Sequence, residues 1–555
     1  MMNQLKYLSL LLFLFTNVST FSQEYTEPIT LKRSTGVLAE NTDSMTLDAI
    51  LGSSKFAVVH QTWSAIYSPD GKYILVGGYN YLACFNQQTG ERIWGRFFDL
   101  ETTYSSSYPV RTMAIHQETN HLIVGTDEGK VYLLDFKTGK TQKVLCEKTG
   151  WVMAVAISPN GRFGAATDIN GLYKMWDLKT GKAMELPLIP NSRGESVAFS
   201  SNGQLLAVGS HNALYIINWD DQTAEKYDAP STVQSIAFIN EDREVLISGW
   251  TGFLQRVHLK SKEILWQHNT EDWLINLRIL PNKTSALAIS PFYVLLMDWE
   301  NDKVTTTNIP VRTAMDLHPD GKRILTVGQF SNRVEQFDWQ TEKPTNNSQF
   351  YTEPPMKLAF SPDGKYLAAG GYFTADRAII WNTENWKKVG EIQGNKLHGF
   401  DQFGFTEDGK YFHATLRQNN TRIPKGDFPT YFKVPSFEPS KTGFSKINLY
   451  HHVATNLESI ETVHLKKLLP VQTAAFFGNL DSSMNRHLFG GWTIEEAYFA
   501  GITNENMLYI YESKTGEKVA GTPLPDFGVV ACAIHPEAKV VAVTAWDGLV
   551  YIYRW

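Results

Sequence analysis

The chain has few cysteines and no excess of basic charge. Its 555 residues include three cysteines, Cys84, Cys146 and Cys532, each within an apolar stretch. An odd and sparse set excludes a disulfide scaffold, and its spacing fits no cysteine metal site. The formal net charge is −6, whereas electrostatic binding of nucleic acid requires a basic face. We therefore expect buried cysteines, no metal and no nucleic acid partner.

The sequence also lacks the short motifs of common catalytic sites. It contains no Gly-x-Ser-x-Gly, no His-Glu-x-x-His and no Gly-x-x-x-x-Gly-Lys-Ser/Thr segment. The adjacent pair His451–His452 would point to opposite sides of a strand, so it is not expected to share a metal ion. We predict a protein without enzymatic activity and without a cofactor.

An apolar run at the N-terminus is too short to span a membrane. Lys6 precedes the apolar segment Tyr7–Phe15, and a polar segment rich in small residues follows it. The run is about half as long as a bilayer-spanning helix requires. The pattern predicts a secretory signal peptide at 1–23, with an uncleaved anchor as the alternative. We expect a bacterial protein exported to the periplasm or cell surface, without a transmembrane span after cleavage.

A short unit recurs along almost the whole chain. Its clearest copies include WSAIYSPDGKYILVGG, VMAVAISPNGRFGAAT and KLAFSPDGKYLAAGG. Each is an apolar strand, a tight turn and a second apolar strand. The turns recur about every 42 residues, a period that is typical of four-stranded β-propeller blades. The fold class predicted is all-β, with tandem propellers of about 11–12 blades.

The blade count exceeds one ordinary ring of four to eight blades, which indicates two propellers. A polar, Pro-rich break near Thr341–Pro355 divides a first propeller at 55–350, of about seven blades, from a second at 351–555. Residues 24–54 are expected to be a polar lead-in. The chain ends on a third strand, so we predict that the strand at 55–61 completes the last blade and covers its edge.

One segment interrupts the repeat. Residues 417–446 contain four prolines and several aromatic residues, and they are expected to form an insertion in the ninth blade. Long loops in compact folds are often functional. The candidate contact residues are Phe428, Tyr431, Phe432 and Phe437; the alternative is that they pack on the blade beneath.

The repeats resemble the WD-repeat propeller family. The SPDGK turns, the third strand ending at Trp176–Asp177 and the pair Trp219–Asp220 carry the resemblance. The Gly-His dipeptide of the family is absent, so its buried His and Asp network is not expected. The segment Leu82–Trp94 is similar to the quinoprotein-like repeat, in which the tryptophan docks on the next blade. The resemblance implies a rigid binding platform for a protein partner.

A candidate binding face follows from the alignment of the repeats. The corner before each first strand opens on one face of a propeller, around the central channel. Counting back seven or nine positions from each turn gives a set dominated by Trp and Arg, which are the dominant hot-spot residues of interfaces. The set contains Trp63, Arg111, Trp151, Arg193, Glu195 and Trp273. The alternative is that some of these tryptophans pack between blades.

The function predicted is therefore an exported, non-catalytic scaffold for protein–protein interaction. A lactonase-like or quinoprotein-like propeller enzyme is one alternative, but the candidate face contains a single carboxylate, that of Glu195. A propeller that binds a glycan or a small ligand on exposed aromatic side chains is the other.

Overall fold

The protein is described by a computed structural model over much of its length. The residues described are 43–52, 62–78, 81–98, 109–147, 150–190, 193–311, 313–327, 334–345, 357–370, 377–393, 400–406, 408–416, 431–440, 449–450, 491–492, 498–502, 507–512, 517–524, 529–535, 537–545 and 549–555. Every regular element in these ranges is a β-strand, so the predicted all-β class is confirmed. The same ranges hold no helix long and apolar enough to cross a membrane.

Two strands come first, β1 (Asp43–Ser44) and β2 (Thr46–Gly52). Seven four-stranded sheets follow in chain order. Sheets 1 to 4 contain β3 (Thr62–Tyr67), β4 (Tyr73–Gly78), β5 (Tyr81–Asn86), β6 (Arg92–Phe97); β7 (Val110–His116), β8 (His121–Thr126), β9 (Val131–Asp135), β10 (Thr141–Cys146); β11 (Val152–Ile157), β12 (Phe163–Asp168), β13 (Tyr173–Asp177), β14 (Lys182–Ala183); β15 (Ser196–Phe199), β16 (Leu205–Ser210), β17 (Ala213–Asn218) and β18 (Thr223–Asp228). Sheets 5 to 7 contain β19 (Val233–Ile239), β20 (Glu244–Gly249), β21 (Phe253–His258), β22 (Ile264–Asn269); β23 (Ile275–Ile279), β24 (Ser285–Ile289), β25 (Val294–Asp298), β26 (Lys303–Thr306); β27 (Ala314–Leu317), β28 (Arg323–Val327), β29 (Val334–Asp338) and β30 (Lys343–Pro344).

Four further sheets are described after Pro344. Sheets 8 and 9 contain β31 (Lys357–Phe360), β32 (Tyr366–Gly370), β33 (Arg377–Asn382), β34 (Lys388–Gln393); β35 (Phe400–Thr406), β36 (Tyr411–Leu416), β37 (Tyr431–Lys433), β38 (Glu438–Ser440) and β39 (Leu449–Tyr450). Sheets 10 and 11 contain β40 (Gly491–Trp492), β41 (Tyr498–Ile502), β42 (Met507–Glu512), β43 (Lys518–Pro523); β44 (Val529–Ile534), β45 (Val540–Ala545) and β46 (Leu549–Arg554). These eleven described sheets are the tandem blades that the repeat predicts.

The first seven sheets form a ring. The first strand of each sheet contacts the first strand of the next, from β3 through β7, β11, β15, β19 and β23 to β27, and β27 contacts β3. The closing contact contains a core in which Ile74 and Tyr81 pack with Leu325 and Val334. Because no blade can bury its own apolar faces alone, closure of the ring supplies the last partner.

The later sheets are joined in a second set, which uses both ends of the chain. β31 contacts β35 on one side and β44 on the other, and β44 also contacts β40 and β41. β2 pairs antiparallel with β46, so an N-terminal strand completes the last sheet as predicted. β1 pairs in parallel with β43 of sheet 10. The N-terminal segment therefore joins two neighbouring sheets.

The position of the completing strand corrects the sequence analysis. The strand lies at Thr46–Gly52, within the range 24–54 that the sequence predicts to be a polar lead-in. Leu51 of this strand is buried in the core between sheets 11 and 8, which explains why the segment is ordered against β46. The segment 55–61 lies outside the described residues, and the division at residue 350 stays a prediction.

The recurrent turns between first and second strands are built by side-chain hydrogen bonds. In the first turn, Ser68 Oγ donates to Asp70 Oδ1 at 2.7 Å, and Lys72 N–H donates to the same oxygen at 3.0 Å. Gly71 has φ +70°, a conformation that strains other residues. The same arrangement recurs at Ser158, Ser200 and Ser361, so these acidic and amide residues have a structural role.

Histidines join three of these turns to the neighbouring sheet. His318 Nε2 donates to the carbonyl of Gly71 at 3.2 Å, from sheet 7 to sheet 1. His535 Nε2 donates to the carbonyl of Gly364 at 3.0 Å, from sheet 11 to sheet 8. His116 contacts the carbonyl of Pro159 in the same way, from sheet 2 to sheet 3. Two of the three histidines, His318 and His535, therefore join the last sheet of a set to its first sheet.

The docking tryptophan expected from the quinoprotein-like segment is present. Trp94 of β6 is buried, and its indole N–H donates to the carbonyl of Phe136 in sheet 2 at 2.9 Å. A Cβ on Gly139 would lie 2.5 Å from the Trp94 ring, so the glycine allows the close approach. Tyr227 makes the corresponding contact from sheet 4, where its hydroxyl donates to the carbonyl of Leu259 at 2.7 Å.

Candidate functional site

Six Trp and Arg side chains lie at one edge of sheets 1 to 6, where first strands begin and second strands end. Pairing shows that these two ends coincide, for example Val233 with Gly249. We call this set the Trp–Arg belt; it consists of Trp63, Arg111, Trp151, Arg193, Trp250 and Trp273. Five of the six are sequence-predicted site residues, and Trp250 is an addition.

Arg111 joins two tryptophans from neighbouring sheets. Its guanidinium carbon lies 5.5 Å from the ring centre of Trp63 and 5.4 Å from that of Trp151, distances typical of cation–π contacts. The guanidinium also makes a two-point ion pair with Asp127, with N–O distances of 2.5 and 2.9 Å. Planar, two-point pairing fixes the orientation of an arginine, so the two indoles are held against a rigid centre.

Arg193 forms the second half of the belt. Its guanidinium carbon lies 4.7 Å from the ring centre of Trp250, and its Nε donates to the Glu195 carboxylate. Trp250 in turn packs edge to face on Trp273, with ring centres 6.3 Å apart. Burial lowers the pKa of the Arg193 guanidinium, and repulsion from Arg111 adds to the effect. The two arginines are therefore close enough to interact, and the halves form one surface.

The belt is exposed at its Trp250 end. Trp250 has 39% of its surface accessible and Trp273 has 40%, while Phe292, in the next turn along the sheets, reaches 61%. Trp63 and Trp151 are half-buried. Large exposed aromatic side chains on a rigid surface are typical of interaction sites.

Glu195 is not a contact residue. Its carboxylate is fully buried and pairs with Arg193. The guanidinium is the charged partner that a buried carboxylate requires. The sequence-predicted role is therefore corrected to that of a support for the guanidinium. Asp127 has the same role beneath Arg111.

The aromatic residues of the predicted insertion are also corrected. Tyr431 and Phe432 belong to β37, Phe437 lies in the turn before β38, and all three are buried. Phe432 and Phe437 share a core with Phe405 and Phe412 of the same sheet. The described part of the segment, residues 431–440, thus contributes strands three and four of sheet 9, and these rings pack on their own blade. Phe428 lies outside the described residues.

Trp250, Asp127 and Phe292 are the site residues that the sequence analysis missed. All three lie in turns between second and third strands, whereas the alignment counted only residues before first strands. In antiparallel blades both kinds of turn lie at the same edge. A bulky apolar residue inside a Gly-bounded turn, as in SGWTG at residues 248–252, is the signal that could have identified Trp250.

Burial determines the chemistry of the three cysteines. The three cysteines are free and buried, as predicted, and burial raises the pKa of the Cys84 and Cys532 thiols to about 12. Thiols with raised pKa values are poor nucleophiles at neutral pH. Within the described ranges, no three His, Cys, Asp or Glu side chains lie where they could hold one metal ion.

The chain is similar to proteins of several eukaryotes at low identity. Telomerase protein component 1 of Rattus norvegicus is 26% identical over 260 residues, covering 44% of this chain and 10% of that protein. The Protein LST8 homolog of Drosophila melanogaster is 26% identical over 136 residues, covering 23% of this chain and 39% of the relative. The chain thus spans well under two thirds of the length of these relatives. No protein-family model matches it.

Among solved structures, a chain of the hydrazine synthase of Kuenenia stuttgartiensis overlaps with 50% of this chain and 96% of its own length, at a TM-score of 0.43 and 12% identity. The described sheets define the molecule as a protein of tandem β-propeller blades. Together with the repeat motifs, these low-identity similarities support the resemblance to WD-repeat propellers.

Proposed function

We propose that this protein is an exported, non-catalytic WD-repeat scaffold that binds a protein partner through the Trp–Arg belt. The observation that carries the proposal is the pair of arginines, each held by a buried or half-buried carboxylate and each stacked on tryptophans. Such a surface loses little side-chain entropy on binding, because its rotamers are already fixed. Trp and Arg are also the residue types that dominate binding energy at interfaces.

The environment of the indoles favours a protein partner over a glycan. Sugar rings stack on open indole faces, but Arg111 covers one face of Trp63 and one of Trp151, and Arg193 covers one face of Trp250. The partly exposed side chains of Trp250 and Trp273 instead form a ridge of two perpendicular rings. A ridge of this kind fits an apolar hollow on a folded partner.

Export is the second part of the proposal. It rests on the Lys6, Tyr7–Phe15 and small-residue pattern of the sequence. N-terminal sequencing of the protein from fractionated cells tests it. A mature chain that begins near residue 23 and occurs in the envelope or medium supports export, and an intact N-terminus in the cytoplasm contradicts it.

The binding role is tested by affinity capture with three forms of the full chain as bait. The first is the unmodified protein and the second carries Trp250→Ala and Trp273→Ala. The third carries Ile264→Ala and Leu265→Ala, which truncate side chains of similar exposure, 49% and 45%, on β22 of the same sheet as Trp250. We expect one protein to be retained by the first and third forms and lost from the second.

Two results would contradict the binding role. A partner retained equally by all three baits would remove the belt as its site. The absence of any specific protein, together with binding on a glycan array that the belt variant loses, would favour the carbohydrate-binding alternative. Circular dichroism of each bait controls for unfolding.

A further inference from the structure

The outer strand of sheet 3 is cut short. β13 pairs with β14 at two positions only, Trp176 with Ala183 and Asp177 with Lys182. In the next sheet, β17 pairs with β18 at six positions. After Ala183 the chain leaves the sheet as Met184–Pro190, and Pro187 and Pro190 in this segment have no N–H for a strand ladder.

Part of β13 therefore has an open edge. The carbonyl of Leu172 accepts from Asp168 on the inner side, and that of Met175 accepts from Met184 on the outer side. Since successive residues of a strand direct their main-chain groups to opposite sides, the N–H and C=O of Tyr173 face outward. Among the described residues they have no main-chain partner on that side.

The segment that replaces the missing strand is held away from this edge. The Tyr173 hydroxyl donates to the carbonyl of Pro187 at 2.8 Å and accepts from the N–H of Ile189 at 3.0 Å. A groove of about 560 Å³ lies between the edge and the segment, lined by Leu172, Tyr173, Lys174, Met184, Leu186 and Leu188. Leu188 is 95% exposed, although the hydrogen bonds of Tyr173 fix the backbone on both sides of it.

The groove lies next to two residues of the Trp–Arg belt, Trp151 and Arg193. Its upper wall is the turn Asp168–Gly171. The N–H of Ile169 donates to the carbonyl of Trp151, and the carbonyl of Asp168 accepts from the N–H of Gly194, next to Arg193, both at 3.0 Å. A single partner can therefore contact both the belt and the groove.

The groove is lined by one ammonium group, that of Lys174, and one carboxylate, that of Asp168. The Asp168 carboxylate is already occupied by the N–H groups of Gly150, Asn170 and Leu172. The ammonium of Lys174 donates to Cys146 Sγ at 3.6 Å, and among the described residues it forms no ion pair with a carboxylate. An acidic side chain of a bound segment could therefore form an ion pair with Lys174.

We infer that an extended segment of the partner adds to sheet 3 as its missing outer strand. The segment takes the main-chain groups of Tyr173, places apolar side chains over Leu186 and Leu188, and directs a carboxylate to Lys174. This is β-strand addition, in which main-chain bonds give affinity and alternate side chains give specificity. The inference rests on the proposed function, since it names the part of the partner that lies beside the belt.

The test uses synthetic peptides in which valine alternates with threonine and the central position is Glu, Gln or Lys. Binding to the full chain is measured by fluorescence polarisation. We expect the Glu peptide to bind most tightly and the Lys peptide least. We also expect slower amide exchange at Tyr173 when the peptide is bound. Failure of every peptide to bind, or unchanged exchange at Tyr173, would overturn the inference.

Two variants locate the site. Leu188→Asp is expected to weaken the Glu peptide roughly tenfold, the effect of losing one buried leucine contact. Leu265→Asp, which changes an exposed leucine on β22, is expected to have no effect. Lys174→Glu should reverse the preference between the Glu and Lys peptides. Equal losses of peptide affinity in both leucine variants would overturn the site. Sedimentation that shows a dimer of this chain dissociating in Leu188→Asp would also overturn it.

The outcomes separate this inference from the proposed function. The variant with Trp250→Ala and Trp273→Ala should still bind the peptides, although it loses the captured partner. If capture depends on the belt but no peptide binds the groove, the strand addition is wrong and the scaffold role stands. If peptides bind the groove but the unmodified bait and the belt variant capture the partner equally, the proposed interaction face is wrong.

Discussion

Single arginines give the proposed face its rigidity. Arg111 contacts two indoles and one carboxylate at once, an arrangement that needs a flat guanidinium with several donors. The ammonium of lysine has the same net charge, but the charge is concentrated on one nitrogen, which cannot make the two-point pair. The charge alone therefore does not define this position.

Arg111→Lys tests this reasoning on stability. We expect a loss of about 1–2 kcal/mol, from the two-point pair and the cation–π contacts, in the first urea transition. Arg243→Lys is the matched control, because Arg243 pairs with Glu241 at 3.1 Å but has a largely exposed side chain, and surface pairs contribute little. Equal effects of the two changes would show that the stacking on Trp63 and Trp151 contributes nothing.

Two turn glycines show how one residue sets the distance between sheets. Gly139 and Gly203 have nearly the same backbone, with φ +69° and +70°. A Cβ on Gly139 would lie 2.5 Å from the Trp94 ring, whereas one on Gly203 would meet its nearest atom at 3.6 Å. Only the first glycine is required by a neighbouring side chain.

Gly139→Ala and Gly203→Ala therefore separate backbone strain from docking. Both should lose about 1 kcal/mol from the left-handed backbone conformation. Gly139→Ala should lose more, and the fluorescence of buried Trp94 should shift to the red as the ring is displaced. If the two variants unfold at the same temperature, Trp94 does not depend on the glycine for its position.

At the scale of strands, the N-terminal segment joins two sheets that are distant in sequence. β2 covers β46, and Met45, just before it, is buried in the core that sheets 10 and 11 share. Removal of these residues opens the edge of β46, and exposed edges promote aggregation. Deletion of residues 43–52 should therefore lower the first unfolding temperature and cause aggregation. An unchanged melting curve would contradict the stabilising role of β2.

Several elements could be predicted from the sequence because their signal is local. The turn residues Ser68, Asp70 and Gly71 hydrogen-bond one another, so their spacing alone indicates a strand–turn–strand unit. The sequence does not locate the completing strand correctly, because Thr46–Gly52 is defined by a partner about 500 residues away. The sequence places Tyr431 and Phe432 in a loop because nearby prolines favour loops, but the structure places both in a strand with buried side chains.

The candidate face was predictable in part for the same reason. Residues before first strands follow the repeat, so Trp63, Arg111, Trp151, Arg193 and Trp273 could be found by counting. The ion pairs that orient the arginines depend on turns of variable length, and no repeat position marks Asp127. The sequence also could not show that Glu195 is buried, because burial depends on the neighbouring sheet.

At the scale of the whole molecule, a histidine at the contact between sheets 11 and 8 makes stability depend on pH. His535 donates from Nε2 to Gly364 and accepts on Nδ1 from the N–H of Ala538 at 2.9 Å, an arrangement that only the neutral ring can make. Burial lowers the pKa of His535 below its usual 6.5, and Arg554 acts in the same direction, whereas the hydrogen bond to Gly364 and the carboxylates of Glu537 and Asp363 oppose it.

Because the folded pKa is the lower one, this histidine contributes full stability above pH 6.5. The contribution decreases as the pH falls below 6.5 toward the folded pKa, since the unfolded chain takes up the proton first. We expect the melting temperature to fall between pH 7.5 and pH 5 and the fall to be smaller in His535→Gln. An identical pH dependence in both proteins would contradict this role of His535.

The measurement that tests the central claim most directly is hydroxyl-radical footprinting of the protein with and without its captured partner. The method reports the oxidation of individual exposed side chains, and Trp250 and Trp273 are accessible in the free protein. We predict that bound partner suppresses oxidation of both tryptophans and leaves Ile264 and Leu265 unchanged. Undiminished oxidation of the two tryptophans in the complex would contradict the account.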